Sequence, residues 1–435
     1  MLSIKVESAP NVNNSSILDG QNTSISGAYL GSMRNLQPAN NGGASRGIIL
    51  TPENLSQPLL FPFTDHETGE VFICVEGKNG ALKQYSDPLE NRLEKFILQS
   101  AVKHLLPSKR VSKCCRLRAY GQNDIQVLHN QVLKTAHYGG LQTCGSVWDD
   151  PVCAAKISER RRVDEVLPAM NQWKEQGGQC LLLTLTHPHN INHVLIELLK
   201  GEQKALSSMT GARVYRALMQ SIGYIGSIRA WEVTHGFNNG FHPHFHFILF
   251  TRIDLDLVSL EEQFYLSWSN ACRLAKLPIP DREHGVSLED GTKADFYVSK
   301  GCWSLDHEIT KGHLKKSNKG RSPMDLLRSY TYDHDKQAGA LFVEYSEAFH
   351  GKRQLYWSKG LKDYFSIGEK TDEEVAGEQD ERAILLGRID WPCWQLVLKS
   401  EMRGDILELG RSGSWDAIQR LLDFLIKNDS LGVVK

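Results

Sequence analysis

No stretch of the 435-residue chain is apolar for long enough to cross a bilayer, and no charged-then-apolar leader opens it. The expected location is therefore the cytoplasm, with no membrane partner. An excess of either charge is also missing: 50 Lys and Arg face 51 Asp and Glu. No global field draws the chain to nucleic acid, so any basic surface must be local. A Gly-x-x-x-x-Gly-Lys-Ser/Thr phosphate loop is absent, which leaves no built-in helicase motor. Periodic apolar residues are scarce over residues 1–65, where Ser, Asn and Gly dominate. That composition cannot offset the ordering entropy of a packed core, and disorder is expected there. Cysteine occurs nine times without a secretory leader, which argues for reduced thiols or metal ligands over a disulfide framework.

What is present allows one large domain with appendages, or two to three domains. The densest chemistry lies in Phe241-His-Pro-His-Phe-His-Phe-Ile-Leu-Phe250. As a strand it points His242, His244 and His246 to one face, and Phe245, Phe247 and Leu249 to a face that requires a core. His244 and His246 are then either hydrogen-bonded imidazoles or two metal ligands on a rigid floor. Ile228–His235 reads as the preceding strand, joined through Gly236-Phe-Asn-Asn-Gly240, a hairpin-turn composition. Antiparallel pairing sets Glu232 or a neighbour opposite residues 244–246. A carboxylate buried in mid-strand needs a partner, which is either a metal, with Glu232 as third ligand, or a cation such as Arg229.

Cys180–Thr186 is a short apolar run and reads as a central strand, with His187-Pro-His189 at its end either facing a site or in a polar turn. Helical spacing covers 154–176 (apolar stripe Ile157, Val163, Val166, Leu167, Met170), 191–221 and 258–277, with a short strand at Val286–Leu288. A helix running into a basic segment covers 88–118. Thr292–Gly301 reads as a capped helix on which Tyr297 and Lys300 share a face. They are either part of an amphipathic surface or a nucleophile beside the cation that steadies it.

Lys311, Lys315, Lys316, Lys319 and Arg321 crowd one loop, suited to backbone phosphates or to solvent. Tyr356–Lys362 interleaves aromatics with lysines, Lys359 among them, as single-strand binders do; Trp357 packing in a core is the alternative. Cys114, Cys115, Cys144 and Cys153 either converge on a structural Zn²⁺ or are buried free thiols. Asp150 stands three before Cys153, where a Cys-x-x-Cys knuckle carries its other thiolate. Beyond about residue 366 come an acidic segment, a strand-like run at 393–399 and an amphipathic helix at 414–427, with no visible chemistry.

An apolar strand (Leu183–Thr186), a His-apolar-His strand and a Tyr-x-x-Lys helix stand in fixed order. This order resembles the three motifs of the HUH endonuclease superfamily, and the particular residues resemble the rolling-circle replication initiators (Rep) of small bacterial plasmids. Cys144-Gly-Ser-Val-Trp, Glu232-Val-Thr, His242-Pro-His-Phe-His246, Tyr297-Val-Ser-Lys300, the Ser322-Pro…Leu327 segment and Trp357-Ser-Lys-Gly-Leu361 carry the likeness, over roughly residues 110–375.

The resemblance implies an α+β fold: a central antiparallel β-sheet flanked by helices, with the two histidines on a middle strand and accessory segments around it. The chain then divides into a disordered 1–65, a basic, cysteine-containing 66–176 with a candidate zinc knuckle, a catalytic 177–330, a DNA-contacting 331–375 and a small α/β tail at 376–435. The resemblance also implies Mg²⁺ or Mn²⁺ on His244, His246 and Glu232, nucleophilic attack by Tyr297 with formation of a 5′-phosphotyrosine, a 3′-hydroxyl primer, and Lys300 steadying charge. Origin DNA, a host helicase and a DNA polymerase are the implied partners, and an oligomer is a further candidate. Two departures stand out. Family members often carry a cysteine where this chain has Asp150. Members that end replication by hydrolysis use a glutamate one turn before the tyrosine, where this chain has Lys293 with Asp295 closer in; Asp295, Glu308 or a second tyrosine are the replacements open.

A transposase or relaxase of the same superfamily would share the chemistry and differ in its DNA site. A DNA-binding repressor with a structural metal, or a metallohydrolase releasing free phosphate ends, would survive loss of Tyr297.

Overall fold

Alternating and continuous apolar runs build three antiparallel sheets, and helices with apolar stripes cover the five-stranded sheet and one of the three-stranded ones. The computed structural model describes residues 89–132, 134–252, 255–291, 320–378 and 381–430, together with the backbone of three strands between residues 60 and 84. All of these lie in one unit, Gly47–Lys435. Residues 1–59, expected to be disordered, lie outside the described residues; 60–64, expected to share that disorder, form a strand.

In chain order the elements are β1 (Leu60–Thr64), β2 (Val71–Glu76), β3 (Leu82–Gln84), α1 (Leu89–Leu105), β4 (Ile125–Asn130), β5 (Thr135–Gly139), α2 (Pro151–Arg161) and α3 (Leu167–Glu175). Then follow β6 (Gln179–Leu185), α4 (Leu195–Gly211), α5 (Arg213–Ser221), β7 (Gly226–Gly236), β8 (Gly240–Thr251), α6 (Leu257–Ala275) and β9 (Val286–Asp290). The last part holds α7 (Pro323–Tyr332), α8 (Lys336–Ala348), β10 (Leu355–Trp357), α9 (Leu361–Tyr364), α10 (Asp372–Gly377), β11 (Ala383–Ile389), α11 (Trp391–Lys399), α12 (Arg403–Gly410) and α13 (Trp415–Ser430).

The central sheet runs β10-β7-β8-β6-β9, antiparallel throughout, so the histidine strand β8 is its middle strand. This is the α+β architecture expected from the sequence. One face carries an apolar core: Leu181, Leu183, Leu185, Trp231, Phe245, Phe247 and Leu249 pack with α4, α5, α6, α7 and α8. Each fully buried aromatic or aliphatic side chain there contributes roughly 1.5–3 kcal/mol. The other face is split. Cys180, Leu182, Ile228, Ala230, Ile248 and Phe250 pack beneath Ala169 and Trp173 of α3 and Leu361 and Phe365, whereas toward the β7–β8 turn the face becomes polar. That change of lining along a single face creates the site.

The helical run 154–176 is interrupted by a π turn at Arg162–Val166. The extra residue shifts the stripe, so Val163 is 45 % exposed while Ile157 and Val166 are buried. Helix 191–221 breaks into α4 and α5 at Ala212, whose ψ of 141° is extended. The strand-like run at 393–399 is a correction: it is α11, started by Asp390, whose Oδ1 accepts from Cys393 N at 2.9 Å, with Pro in its first turn. Trp394 and Val397, three apart, bury one helical face. The strand of this region is instead β11, which pairs with β4 in the sheet β11-β4-β5.

Candidate functional site

β7 and β8 are joined by a three-residue loop, since Gly236 pairs with Gly240. Gly240 takes φ +74°, and a Cβ there would lie 2.9 Å from Ile191 Cα, so the turn and the close approach both require glycine. This loop length fixes the register: Glu232 pairs with His244, and Ala230 with His246. Glu232, His244 and His246 therefore share one face, and their ligand atoms lie within 4.8 Å of one another. Glu232 Oε2 is 3.0 Å from His246 Nε2 and 3.8 Å from His244 Nε2. Arg229, the alternative partner for Glu232, is on the opposite face, stacked against Trp231, Phe245 and Tyr356.

The imidazoles are oriented from behind. His244 Nδ1 is 3.3 Å from the His242 carbonyl, and His246 Nδ1 is 3.0 Å from Thr184 Oγ1 on β6. A proton on each Nδ1 leaves each Nε2 with its lone pair toward Glu232, the arrangement that metal-ligating histidines adopt. All three groups are nearly buried. Two imidazoles and one carboxylate of this spacing fit a divalent ion with positions left open, and oxygen-rich partners such as phosphate would complete Mg²⁺ or Mn²⁺.

Around the triad lie groups that the sequence reading did not assign. His189 Nε2 is 2.6 Å from His242 Nδ1, and His189 Nδ1 is 2.8 Å from the Asn239 carbonyl. Burial and the neighbouring His244 and His189 push His242 down to about 3, so it is neutral at pH 7. Under the opposite face, His187 Nε2 lies 3.4 Å from Glu202 Oε1, and Trp231 Nε1 donates to Glu202 Oε2 at 3.1 Å. Burial raises Glu202; on His187 burial opposes charge, and Glu202 outweighs it to raise the imidazole. At the hairpin tip Phe237 is 71 % exposed, with the Arg321 guanidinium 4.5 Å over its ring. Asn and Gly around Phe237 marked a turn, but nothing local marked a stacking surface.

Arg321 is the one cationic residue of the basic loop within the described residues. Its backbone exchanges hydrogen bonds with His235, and its side chain reaches Asp335 at 3.2 Å. Tyr297, Lys300, Asp295, Lys311, Lys315, Lys316 and Lys319 lie outside the described residues, as do Lys293 and Glu308. Lys359 is exposed beyond the β10 end that pairs with Ile228, at the far end of β7 from the histidines, so it is not brought to the triad. Trp357 packs against the second core with Lys362 5.5 Å over its ring.

The cysteines form a second cluster. Cys114, Cys144, Cys153 and Asp150 are all buried, with donor atoms within 4.8 Å of one another. Cys114 Sγ is 3.4 Å from Cys153 Sγ, close to the tetrahedral edge of about 3.8 Å that zinc–thiolate bonds set. Cys115 lies beside the group, its Sγ 3.8 Å from that of Cys114, with φ +50° turning its side chain off the shared centre. Backbone N–H groups of Cys144 and Ser146 donate to the sulfurs of Cys114 and Cys144. Hydrogen bonds from Cys114 and then Cys144 hold Cys153 well below the ordinary thiol range, and burial raises Asp150 to about 6. Three soft donors and one carboxylate at this spacing fit Zn²⁺.

The family model described as "Replication protein" matches residues 142–385, more than half of the chain. The chain belongs to that family of replication proteins. Among curated proteins, "Protein rep" of Streptomyces lividans is 26 % identical over 295 residues, 52 % of this chain and 64 % of that one. "Neomycin resistance protein" of Streptomyces cyanogenus is 34 % identical over 134 residues, 25 % of this chain and 30 % of that one. The chain thus spans less than two thirds of either relative's length. No solved structure matches. Among the described residues no helix is long and apolar enough to cross a membrane.

Proposed function

We propose that the chain initiates rolling-circle replication of a plasmid by nicking and rejoining single-stranded origin DNA. The observation that carries this reading is the convergence of Glu232, His244 and His246 on the middle strand of a sheet, in a member of a replication-protein family. A divalent ion held there, Mg²⁺ or Mn²⁺, would supply positive charge at a phosphate oxygen. Glu232, His244 and His246 would hold it, and Thr184 and the His242 carbonyl hold the two imidazoles in place.

Tyr297 is the nucleophile. Its phenolic oxygen bonds to phosphorus as the bond to the 3′ oxygen breaks, which leaves a 5′-phosphotyrosine and a 3′-hydroxyl for a polymerase to extend. Lys300 steadies the developing charge, and Asp295 is the candidate acid for later hydrolysis. The described chain leaves the sheet at Gly291, whose N–H donates to the Cys180 carbonyl, and returns at Arg321, bonded to His235. The first of these points is at the end of β6 away from the histidines and the second beside them, so it is the return at Arg321 that supports the Tyr297 stretch acting with the triad. Arg321 with Lys311, Lys315, Lys316 and Lys319 would meet backbone phosphates, and the exposed Phe237 ring would stack a base. A host helicase and polymerase complete the process.

Incubation with a labelled single-stranded origin oligonucleotide and Mn²⁺, followed by denaturing electrophoresis, tests this. A covalent adduct that EDTA and Tyr297→Phe both abolish is expected. Cleavage without an adduct, undiminished in Tyr297→Phe, would mean that water attacks.

A further inference from the structure

Two arginines are buried beside the cysteine cluster. Arg403 of α12 is 1 % exposed, and its guanidinium donates to Gln99 Oε1, the Cys115 and Phe96 carbonyls and Ser100 Oγ. Arg116 is also buried and donates to the same Ser100 Oγ at 2.7 Å. Among the described residues neither forms a direct ion pair with a carboxylate. Two desolvated cations held only by neutral acceptors are costly unless negative charge lies close by. One lies a residue away from Arg403: Gln99, bonded to Arg403 through its Oε1, donates from Nε2 to both oxygens of Asp150, at 3.0 and 2.9 Å. The exposed Glu401 acts on both arginines as well.

Asp150 divides its two oxygens between two tasks. Oδ1 accepts from the backbone N–H groups of Val152 and Cys153 and caps α2, whereas Oδ2 faces the Cys144 sulfur at 3.2 Å. The cap holds the carboxylate rigidly, and the second oxygen is aimed at the centre of the three sulfurs. With three thiolates and the carboxylate around a divalent ion, two net negative charges remain, and Arg116 and Arg403 match them.

We infer that Cys114, Cys144, Cys153 and Asp150 form a tetrahedral zinc site whose excess charge is neutralised by Arg116 and Arg403, so that zinc binding and docking of α12 stabilise one another. Arg403 lies beyond the family-matched residues 142–385, and Cys114, Gln99 and Arg116 precede them. The site therefore fastens segments on both sides of the family region to it. α12 reaches α1 closely because residue 404 is glycine: a Cβ there would lie 3.0 Å from Leu93 Cδ2 and 3.2 Å from its Cα. Tyr138 of β5 donates to the Arg403 carbonyl at 2.7 Å, fixing the same turn. By linkage, whatever α12 docking adds to zinc affinity, zinc adds equally to docking.

The test uses the full chain and zinc or cobalt alone. Elemental analysis of protein purified without chelator should give one zinc per chain, retained through dialysis. Co²⁺ exchanged into the site should give tetrahedral ligand-field bands and thiolate charge-transfer bands, and the charge-transfer intensity should rise in Asp150→Cys by one thiolate's share. Asp150→Asn and Arg403→Met should each weaken zinc affinity, the latter by roughly 5- to 150-fold. In the wild type, with no substitution that could disturb folding, chelation should speed amide exchange in α12 and α1 while the central sheet stays protected. Absence of zinc and of cobalt–thiolate bands in folded protein would overturn the site. Metal binding with affinity unchanged in Asp150→Asn would overturn the fourth ligand. Exchange in α12 indifferent to chelation, with Arg403→Met binding zinc normally, would overturn the coupling.

Discussion

Glu232 stands directly across β7–β8 from His244, yet its Oε2 lies closer to His246, at 3.0 Å, than to His244, at 3.8 Å. The nearer imidazole is also the one that Thr184 fixes from β6, and a divalent ion, where bound, would be held by all three groups. Glu232→Gln keeps the shape and removes the charge. It is expected to weaken Mn²⁺ binding, read by titration calorimetry, and to lower origin nicking by about 10²-fold or more, with the thermal midpoint held or raised because a buried carboxylate is gone. Unchanged Mn²⁺ affinity would remove Glu232 from the ligand set.

Thr184 is the outer support of the site. Thr184→Val preserves a β-branched shape on β6 but removes the oxygen 3.0 Å from His246 Nδ1. Metal affinity should fall roughly 10- to 100-fold, and added Mn²⁺ should restore nicking because the ligands themselves remain. Loss of nicking that saturating Mn²⁺ does not repair would assign Thr184 another role.

Phe237 should act on binding, not on the chemical step. Phe237→Ala is expected to weaken single-stranded DNA binding by about 1–3 kcal/mol, seen as a higher KM at similar kcat, and Phe237→Trp should restore it. An unaltered KM would leave the hairpin tip outside the DNA path.

The His187–Glu202 pair makes stability depend on pH. Both groups are raised in the folded protein, Glu202 by burial and His187 by Glu202 against the effect of burial, so the folded state holds more protons than the unfolded one. Stability then falls as pH rises from the ordinary carboxylate range through the raised imidazole, by up to about 1.4 kcal/mol per pH unit for each proton. Urea unfolding from pH 4.5 to 8 should show this decline, and Glu202→Gln should flatten it. A slope unaffected by the substitution would place the titrating group elsewhere.

Local covalent geometry made the central part of the site legible in the chain alone. Side chains alternate along any strand, so three histidines at every second position share a face whatever the fold, and Phe245, Phe247 and Leu249 must take the other. The Gly-Phe-Asn-Asn-Gly composition marked the turn, and Glu232 followed as a ligand candidate before its exact partner was known. Helical spacing located α6 in the same way. Periodicity failed where two short-range signals competed. Residues 393–399 are apolar enough for a strand, but Asp390 and Pro392 start a helix, and β11 lies just before it, half exposed on a sheet edge with little pattern to mark it.

Tertiary structure alone decided the rest. The loop length between β7 and β8 set Glu232 against His244, and one residue more would have turned its carboxylate into the core. Cys115 and Cys114 are neighbours in sequence, yet the backbone at Cys115 points only one of the two thiols at the cluster, and the fourth donor is Asp150. Arg403 meets Gln99 across three hundred residues of chain, and His189 meets His242 across the mouth of the sheet. Pattern fixes direction within a segment because bond geometry repeats every two or 3.6 residues. Which segments meet depends on burying their apolar faces together, and that is a property of the whole fold.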